Sequence, residues 1–163
     1  MPVKKSKDGH RFIQAEVEVP GSPEEVWRAI ATGSGISSWF VPTTSDERIG
    51  GTTVSSFGPG MDSTGTIKEW NPPHSVLVET EGGPGAIATE WIVEARAGGT
   101  CTVRVIHRWF ADSDDWDGEF EAHAYGWAAT FFRMLRLYLT HFAGQRCSTV
   151  DLAAFSTRPG PDT

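Results

Sequence analysis

Few side chains in this sequence are placed to do chemistry, and His107 is the one that a regular pattern directs inward. It follows Val103 and Val105 at alternate positions, so the three side chains share one face of a predicted strand. An imidazole there can hydrogen-bond a ligand or act as a general acid or base near neutral pH. A core histidine bonded to a neighbour is the simpler interpretation, and we favour it.

The other histidines and the acidic residues form no recognised catalytic or metal-binding pattern. His123 and His141 flank the apolar stripe of a predicted helix, where positions at the surface or groove edge are expected. The acidic run Asp112–Asp117 resembles a calcium loop, but Asp117 stands where that loop requires glycine and His123 where it requires glutamate. We interpret the run as favourable charge ahead of a helix N-terminus. The sequence therefore predicts no metal and no other cofactor.

Nucleophilic catalysis finds little support in the sequence. Cys101 lies in an alternating strand and Cys147 follows the last predicted helix, and neither belongs to a motif that would activate its thiolate. We expect both to be reduced thiols. No GxSxG sequence is present, and the glycine-rich stretches 58–60 and 82–85 do not open a helix as a phosphate loop must.

Composition favours an apolar interior over a charged binding surface. The chain has 7 Trp and 9 Phe against 2 Tyr, which suits either an aromatic-lined pocket or a packed aromatic core. A net charge of −7 argues against nucleic acid or an anionic membrane as partner, because both attract clustered positive charge. No segment has the apolar run of a signal peptide or membrane span, so we expect a cytoplasmic protein.

The longest predicted element is a helix from Gly118 to Phe142, which must form one wall of any pocket. Its apolar residues recur at steps of three, four and one, as on one face of an α-helix. Such a helix is most simply placed across an antiparallel sheet. The stripe consists of Phe120, Ala124, Trp127, Ala128, Phe131, Leu135, Tyr138, Leu139 and Phe142.

A strand and two short helices are predicted near the N-terminus. Alternation of apolar and polar residues over Arg11–Val19 is typical of a half-buried strand. The Ser-Pro-Glu-Glu sequence at 22–25 is a capping box with proline at the first helical position, predicting a helix to about residue 32. The glycines and serines of Gly33–Phe40 interrupt it and predict a second, shorter turn.

Between the short helices and the long one, the sequence predicts an antiparallel meander. The clearest hairpin turns at Gly98 and Gly99, which supply the positive φ values that a tight turn needs. Its inward face would carry Trp91 and His107, and its outward face carries charges that can pair across strands. The predicted strands are Thr52–Phe57, Gly65–Trp70, Ser75–Thr80, Ile87–Arg96 and Thr100–Phe110.

This order of elements resembles the helix-grip fold of the START-like (SRPBCC) superfamily, and the local motifs resemble its AHSA-like branch. The stretches VEVPGSPEEVWRAIATGSGISSWF, GTIKEWNPPHSVLVET, EWIVEARAGGTCTVRVIH, and GW followed by LRLYLTHF carry the resemblance. It implies an α+β fold in which an antiparallel sheet of about six or seven strands wraps around the long C-terminal helix, with two short helices after strand one. We expect an extension at 1–10, the domain at 11–145 and a tail at 146–163.

The resemblance also implies a cavity between the long helix and the concave face of the sheet. Nearly all of the candidate lining is apolar, which favours a hydrophobic or aromatic small molecule held by burial of apolar surface. No catalytic residue is assigned. The candidate lining residues are Trp39, Phe40, Phe57, Val78, Trp91, His107, Trp109, Trp127, Phe131 and Met134.

Three classes of function remain open, because this fold hosts ligand carriers, cyclases and co-chaperone domains. The aromatic candidates favour a binding protein for a hydrophobic small molecule. The alternatives are a cyclase- or hydrolase-type enzyme that uses the same cavity, and a co-chaperone-like module that binds protein. Apolar residues of the tail, among them Val150 and Phe155, raise the further hypothesis of a homodimer.

Overall fold

The protein folds into an antiparallel sheet with helices packed on one face. The structure is a computed structural model, and it describes residues 4–5, 11–81, 86–109, 126 and 130–148. Three helices are assigned in these ranges: α1 Pro23–Ala31, α2 Gly33–Ile36 and α3 Phe132–His141. No helix in the same ranges is long and apolar enough to cross a membrane. The strands are β1 Lys4–Lys5, β2 Arg11–Pro20, β3 Thr43–Ser45, β4 Thr52–Ser56, β5 Asp62–Asn71, β6 Ser75–Thr80, β7 Ile87–Arg96 and β8 Thr100–Trp109.

The strand order across the sheet is β1-β2-β8-β7-β6-β5-β4-β3, and every neighbouring pair is antiparallel. Strands β4 to β8 form the predicted meander, β3 adds to it beyond β4, and β2 pairs with β8 on the other side. Apart from the two-residue β1, the described strands number seven. The prediction of an α+β helix-grip fold with six or seven strands is therefore confirmed.

The strands differ from the prediction mainly in one missed strand, β3, and in an earlier start of β5. β3 was missed because three polar residues, Thr-Thr-Ser, are too short to show alternation. β5 begins at Asp62, so Gly65 lies inside the strand and not at its start. A Cβ at Gly65 would lie 2.5 Å from Val78 Cγ1 on the neighbouring strand, so the lack of a side chain is a packing requirement.

The start of α1 confirms the predicted capping box. Ser22 Oγ accepts a bond of 3.3 Å from the Glu25 backbone N–H, and a Glu25 carboxylate oxygen accepts one of 2.8 Å from the Ser22 N–H. The helix ends at Ala31, where Thr32 leaves helical geometry and caps α2 through its own side chain. This interruption turns the chain, so that α1 buries Trp27 while residues after α2 reach the start of α3.

The C-terminal helix follows the predicted stripe only in part. Leu135, Tyr138 and Leu139 are buried as predicted, and Gly126 is helical, whereas the rest of the predicted segment 118–129 lies outside the described residues. The prediction for Phe142 was wrong, because its side chain is 45% exposed. α3 ends at His141, so Phe142 occupies the C-cap and leaves the helical stripe.

The outer face of the sheet carries cross-strand ion pairs, as the alternation predicted. Arg104 lies between Glu16 and Glu94, with N to O distances of 3.4 and 3.3 Å. Arg108 pairs with Glu90 at 2.7 Å. Exposed pairs of this kind add little stability, but they satisfy the charges of this surface internally.

Candidate functional site

The concave face of the sheet carries a polar pair within an otherwise apolar row. The strand register places Ile13, His107, Thr89, Val78 and Ile67 side by side on β2, β8, β7, β6 and β5. At the centre of the row, Thr89 Oγ1 and His107 Nδ1 are 2.9 Å apart. His107 is buried and Thr89 is half-buried. His107 is therefore held by a neighbouring side chain, as the simpler interpretation predicted.

This contact fixes the orientation of the only histidine that the sequence directs inward. The threonine hydroxyl can donate to Nδ1 or accept from it, so the bond forms with either neutral tautomer of the ring. A small molecule that reached this row would meet one hydroxyl and one titratable ring among aliphatic side chains. Such a pair can orient the polar end of a ligand, and the imidazole can also exchange a proton.

Four aromatic rings meet where the segment after α2 faces the start of α3, and we call Trp39, Phe40, Phe57 and Phe131 the Phe40 cluster. The Phe40 ring centroid lies 5.5 Å from Trp39, 5.7 Å from Phe57 and 4.8 Å from Phe131. The two phenylalanine partners meet Phe40 edge to face, an arrangement that the ring quadrupoles favour. Phe40 and Phe131 are half-buried and Phe57 is 42% exposed, so the cluster joins the core to solvent.

Two other predicted lining residues also lie on the concave face. Val78 and Trp91 are half-buried and pack against the core. The Trp91 ring lies 6.5 Å from that of Phe132, so the start of α3 reaches β7 at this point. The sheet and α3, which were predicted to form the two walls of the groove, therefore face each other here.

Trp39 and Trp109 have the character of core residues. Trp39 is buried and donates its indole N–H to the Ala29 carbonyl at 2.8 Å, which ties the segment after α2 to α1. Trp109 is only 1% exposed. Both side chains therefore pack in the core and expose little surface that a ligand could contact.

The structure does not bring Met134 into the groove. Its side chain is 39% exposed on the side of α3 that faces away from the sheet. The buried arc of α3 is formed by Phe132, Leu135, Tyr138 and Leu139, and Met134 falls outside that arc by helical geometry. Trp127 lies outside the described residues.

Sequence reasoning missed Thr89, although a signal for it was present. The hairpin pairs Arg96 with Thr100 around the Gly98 turn. Counting outward from that turn places Thr89 opposite His107, since each step back on one strand matches a step forward on the other. Trp27 and Trp70, whose ring centroids lie 5.0 Å apart, were also missed as a pair, because nothing local links α1 to β5.

A second cleft, of about 780 Å³, opens between the α1–α2 region and the C-terminal end of α3. None of the predicted lining residues contributes to it. Its lining combines apolar side chains such as Leu139 with charged side chains of both signs. It is lined by Glu25, Arg28, Ala29, Thr32, Ser34, Gly35, Ser37, Ser38, Glu47, Tyr138, Leu139, Ala143, Gly144, Arg146 and Cys147.

The hydroxyl groups of this second cleft are already used by the fold. Thr32 donates to the Arg28 carbonyl, Ser37 to the Gly33 carbonyl and Ser38 to that of Ser34. Because these bonds shape the turn between α1 and α2, the hydroxyls are structural. The aromatic residues and the polar pair of the concave face are accordingly the stronger candidate site, since together they combine contact area with orientation.

The electrostatics of Cys101 oppose a nucleophilic role. Burial raises the pKa of its thiol, and the nearby carboxylates Glu24 and Glu25 raise that pKa further. Its Sγ lies 3.4 Å from the Gly21 carbonyl, which accepts the weak thiol hydrogen bond. Within the ranges that the structure describes, no group of three or more His, Cys, Asp or Glu side chains is placed to hold a metal ion.

A comparison with protein-family models gives a match over residues 11–141. The matching family is described as polyketide cyclase/dehydrase and lipid transport. The match includes β2 through α3, and so both walls of the groove. A comparison with curated proteins gave no match.

Solved structures with the same fold include proteins of several kinds. CalU16 from Micromonospora echinospora is 19% identical with a TM-score of 0.66, over 86% of this chain and 83% of that one. The Aha1 dimer from Colwellia psychrerythraea is 22% identical with a TM-score of 0.62, over 82% and 98%. The di-domain ARO/CYC protein BexL from the BE-7585A biosynthetic pathway is 19% identical with a TM-score of 0.66, over 78% of this chain and 45% of that one. At these identities the likeness shows the START-like fold.

Proposed function

Because the chain belongs to the polyketide cyclase/dehydrase and lipid transport family, we propose that it binds a hydrophobic or aromatic small molecule between α3 and the concave sheet face. The observation that carries the proposal is the Phe40 cluster. Its rings contact the core on one side, and its outermost ring, Phe57, is open to solvent on the other. Aromatic rings in that position provide contact area for an apolar ligand entering from solvent.

The polar pair on the concave face supports a ligand with one polar end. The Thr89 hydroxyl and the His107 ring lie in a row of aliphatic side chains, so a carbonyl or hydroxyl group of the ligand has a defined place to bond. The rest of the ligand would lie against apolar surface. Burying about 300 Å² of ligand surface gains roughly 7 kcal/mol before the cost of association, which corresponds to modest affinity.

The test is a titration with 1,8-dihydroxyanthraquinone, a planar aromatic probe with hydroxyl and carbonyl groups, followed by tryptophan fluorescence and calorimetry. Native mass spectrometry of freshly purified protein precedes it, to detect any ligand that co-purifies. We expect saturable binding that Phe40→Ala weakens about tenfold, because Phe40 contacts three other rings. Phe142→Ala is the matched control, since Phe142 is exposed at the far end of α3 and should leave affinity unchanged.

Two results would overturn this proposal. One is a folded protein with no co-purified mass and no saturable response to the probe. The other is binding that Phe40→Ala and Phe142→Ala weaken equally, which would place the probe on the general surface. Loss of binding in Phe40→Ala counts only if the variant retains a cooperative unfolding transition.

A cyclase-type enzyme in the same groove is the second candidate, and His107 favours it. A buried titratable ring, oriented by Thr89, is what general acid or base chemistry on a bound carbonyl compound requires. Incubation with a linear poly-β-ketone thioester mimic separates the two functions. A cyclised product that His107→Gln abolishes without loss of mimic binding supports the enzyme, whereas binding without any product supports the carrier.

A further inference from the structure

The side of α3 that faces away from the sheet is exposed along its whole length, and we call it the outer face of α3. Leu137, at 56% exposure, lies at its centre. Arg133, Leu137 and His141 follow one another at intervals of four residues and so form a single ridge. The outer face consists of Arg133, Met134, Arg136, Leu137, Thr140 and His141, all of them exposed.

The charges of this face are of one sign. No Asp or Glu occurs between residues 130 and 148, although the whole chain has 21 acidic residues. In the described part of the chain, no carboxylate forms an ion pair with Arg133 or Arg136. On the outer sheet face, by contrast, Arg104 and Arg108 each lie within 3.5 Å of a glutamate.

We propose that the outer face of α3 is a docking surface for an acidic amphipathic helix of a partner protein. Two exposed arginines with no acidic residue on the same face offer complementary charge to carboxylates, and the exposed Leu137 and Met134 beside them offer the apolar contact. Arginine and methionine are both enriched at protein interfaces. A ridge with steps of four residues fits the groove of a second helix, which is why the partner is a helix.

The same charges disfavour a two-fold contact of this face with a second copy of this chain. Such a contact would bring the arginines of both copies into one interface in which neither face offers a carboxylate. Like charges at such a contact repel one another, and no carboxylate of this face is available to relieve the repulsion. A two-fold homodimer would therefore not pair this face with itself.

An anionic membrane is also a poor occupant. Each Lys or Arg at a membrane surface contributes about 1 kcal/mol, so two arginines bring little. The chain as a whole carries a net charge of −7 and is repelled by anionic lipid. A short acidic helix meets only the basic face and avoids that repulsion.

The test uses a synthetic amphipathic peptide of about 18 residues, or five helical turns, with leucine on one face and flanking glutamates. Its counterpart carries lysine in place of every glutamate. Binding of each labelled peptide to the full chain is measured by fluorescence anisotropy at low and at high salt. We expect the acidic peptide to bind, the lysine peptide not to bind, and added salt to weaken the complex.

Three variants locate the contact. Arg133→Glu with Arg136→Glu should weaken binding of the acidic peptide about tenfold or more, and Leu137→Ala about threefold. The matched control, Arg28→Glu with Arg48→Glu, makes the same change in net charge on exposed residues elsewhere and should change binding less than twofold. Because all of these side chains are exposed, the variants are expected to fold.

Several outcomes would overturn the docking proposal. Equal weakening in the control pair would show that the peptide senses net charge alone. Binding to phosphatidylglycerol vesicles without binding of the acidic peptide would identify a membrane surface. Self-association that Arg133→Glu with Arg136→Glu abolishes would identify a second copy. None of these readouts involves the groove, so they do not depend on the proposed ligand.

Discussion

Two aromatic groups lie toward opposite ends of β5 and differ in what surrounds them. Trp27 and Trp70 meet near the end of the strand, where α1 covers them and Trp27 is buried. The Phe40 cluster lies near its start, because Phe57 follows Ser56, which pairs with Asp62. The nine residues from Asp62 to Trp70 span roughly 25 Å of extended strand.

The difference shows that aromatic content alone does not separate core from site. Both groups contain edge-to-face rings about 5 Å apart. In the tryptophan pair, Trp27 is buried on α1 and Trp70 is half-buried, whereas the Phe40 cluster is assembled from connecting segments and the residue that precedes α3, and its outermost ring is exposed. Substitutions at the sealed end should therefore change stability, and those at the open end should change binding.

The largest expected effect is that of Trp27→Ala at the sealed end. Removing a buried tryptophan from the core leaves a cavity, and such changes cost about 3 to 5 kcal/mol of unfolding free energy. Urea denaturation followed by circular dichroism measures the loss, while probe affinity of the folded fraction should stay the same. A smaller loss of unfolding free energy in Trp27→Ala than in Phe57→Ala would contradict this assignment of the two ends.

At the open end, Phe57→Ala should show the opposite balance. Because Phe57 is 42% exposed, its loss should cost about 1 kcal/mol or less of stability, mostly from the contact with Phe40. Affinity for the anthraquinone probe should fall several-fold, to be measured by calorimetry. Unchanged affinity together with a large stability loss would make the Phe40 cluster ordinary core.

Between the two ends, Thr89→Val tests the polar pair on the concave face. The substitution keeps the shape of the side chain but removes the hydroxyl that bonds His107 Nδ1, at a cost of about 1 to 3 kcal/mol for the loss of a buried hydrogen bond. Thr100→Val is the control, because its hydroxyl bonds the exposed Glu18 and should matter less. Equal losses of unfolding free energy in the two variants would show that the bond between Thr89 and His107 contributes no more than an exposed one.

The smallest effect concerns the capping box of α1, which carries Trp27. The bonds from Ser22 hold the pKa of Glu25 below its ordinary value of 4.5. A group whose pKa is lower in the folded state contributes stability at any pH above its unfolded-state pKa. That contribution is lost as the pH falls through the folded-state pKa. The melting temperature of Glu25→Gln should therefore lie below that of the parent protein at neutral pH, and this difference should shrink as the pH falls. A difference that grows in acid would reverse this assignment.

Features that depend on nearby residues could be predicted from the sequence. The capping box needs only Ser22 and Glu25, three positions apart, and the hairpin needs only its turn at Gly98 and the alternation beside it. The inward position of His107 followed from the same alternation. Because these signals are local, they were enough to predict an antiparallel sheet crossed by a helix, and the resemblance to START-like proteins then implied the helix-grip fold.

Other features depend on contacts that no local pattern encodes. Trp27 and Trp70 are far apart in sequence and meet only through packing of α1 on the sheet. The cleft beside Arg146 arises from where α3 stops relative to α1. Met134 was misplaced because its exposure is set by the narrow arc that α3 buries, and an apolar residue type does not define that arc.

The burial of Cys101 has a practical consequence for measurements on this protein. Cys147 is exposed, while Cys101 lies on β8 beneath Gly21 with a protonated thiol. An alkylating label added to the native protein will therefore modify Cys147 first and provide a single site for a fluorophore at the edge of the second cleft. The slower rate at which Cys101 is labelled then reports how often β2 separates from β8, so this buried thiol serves as a probe of local unfolding.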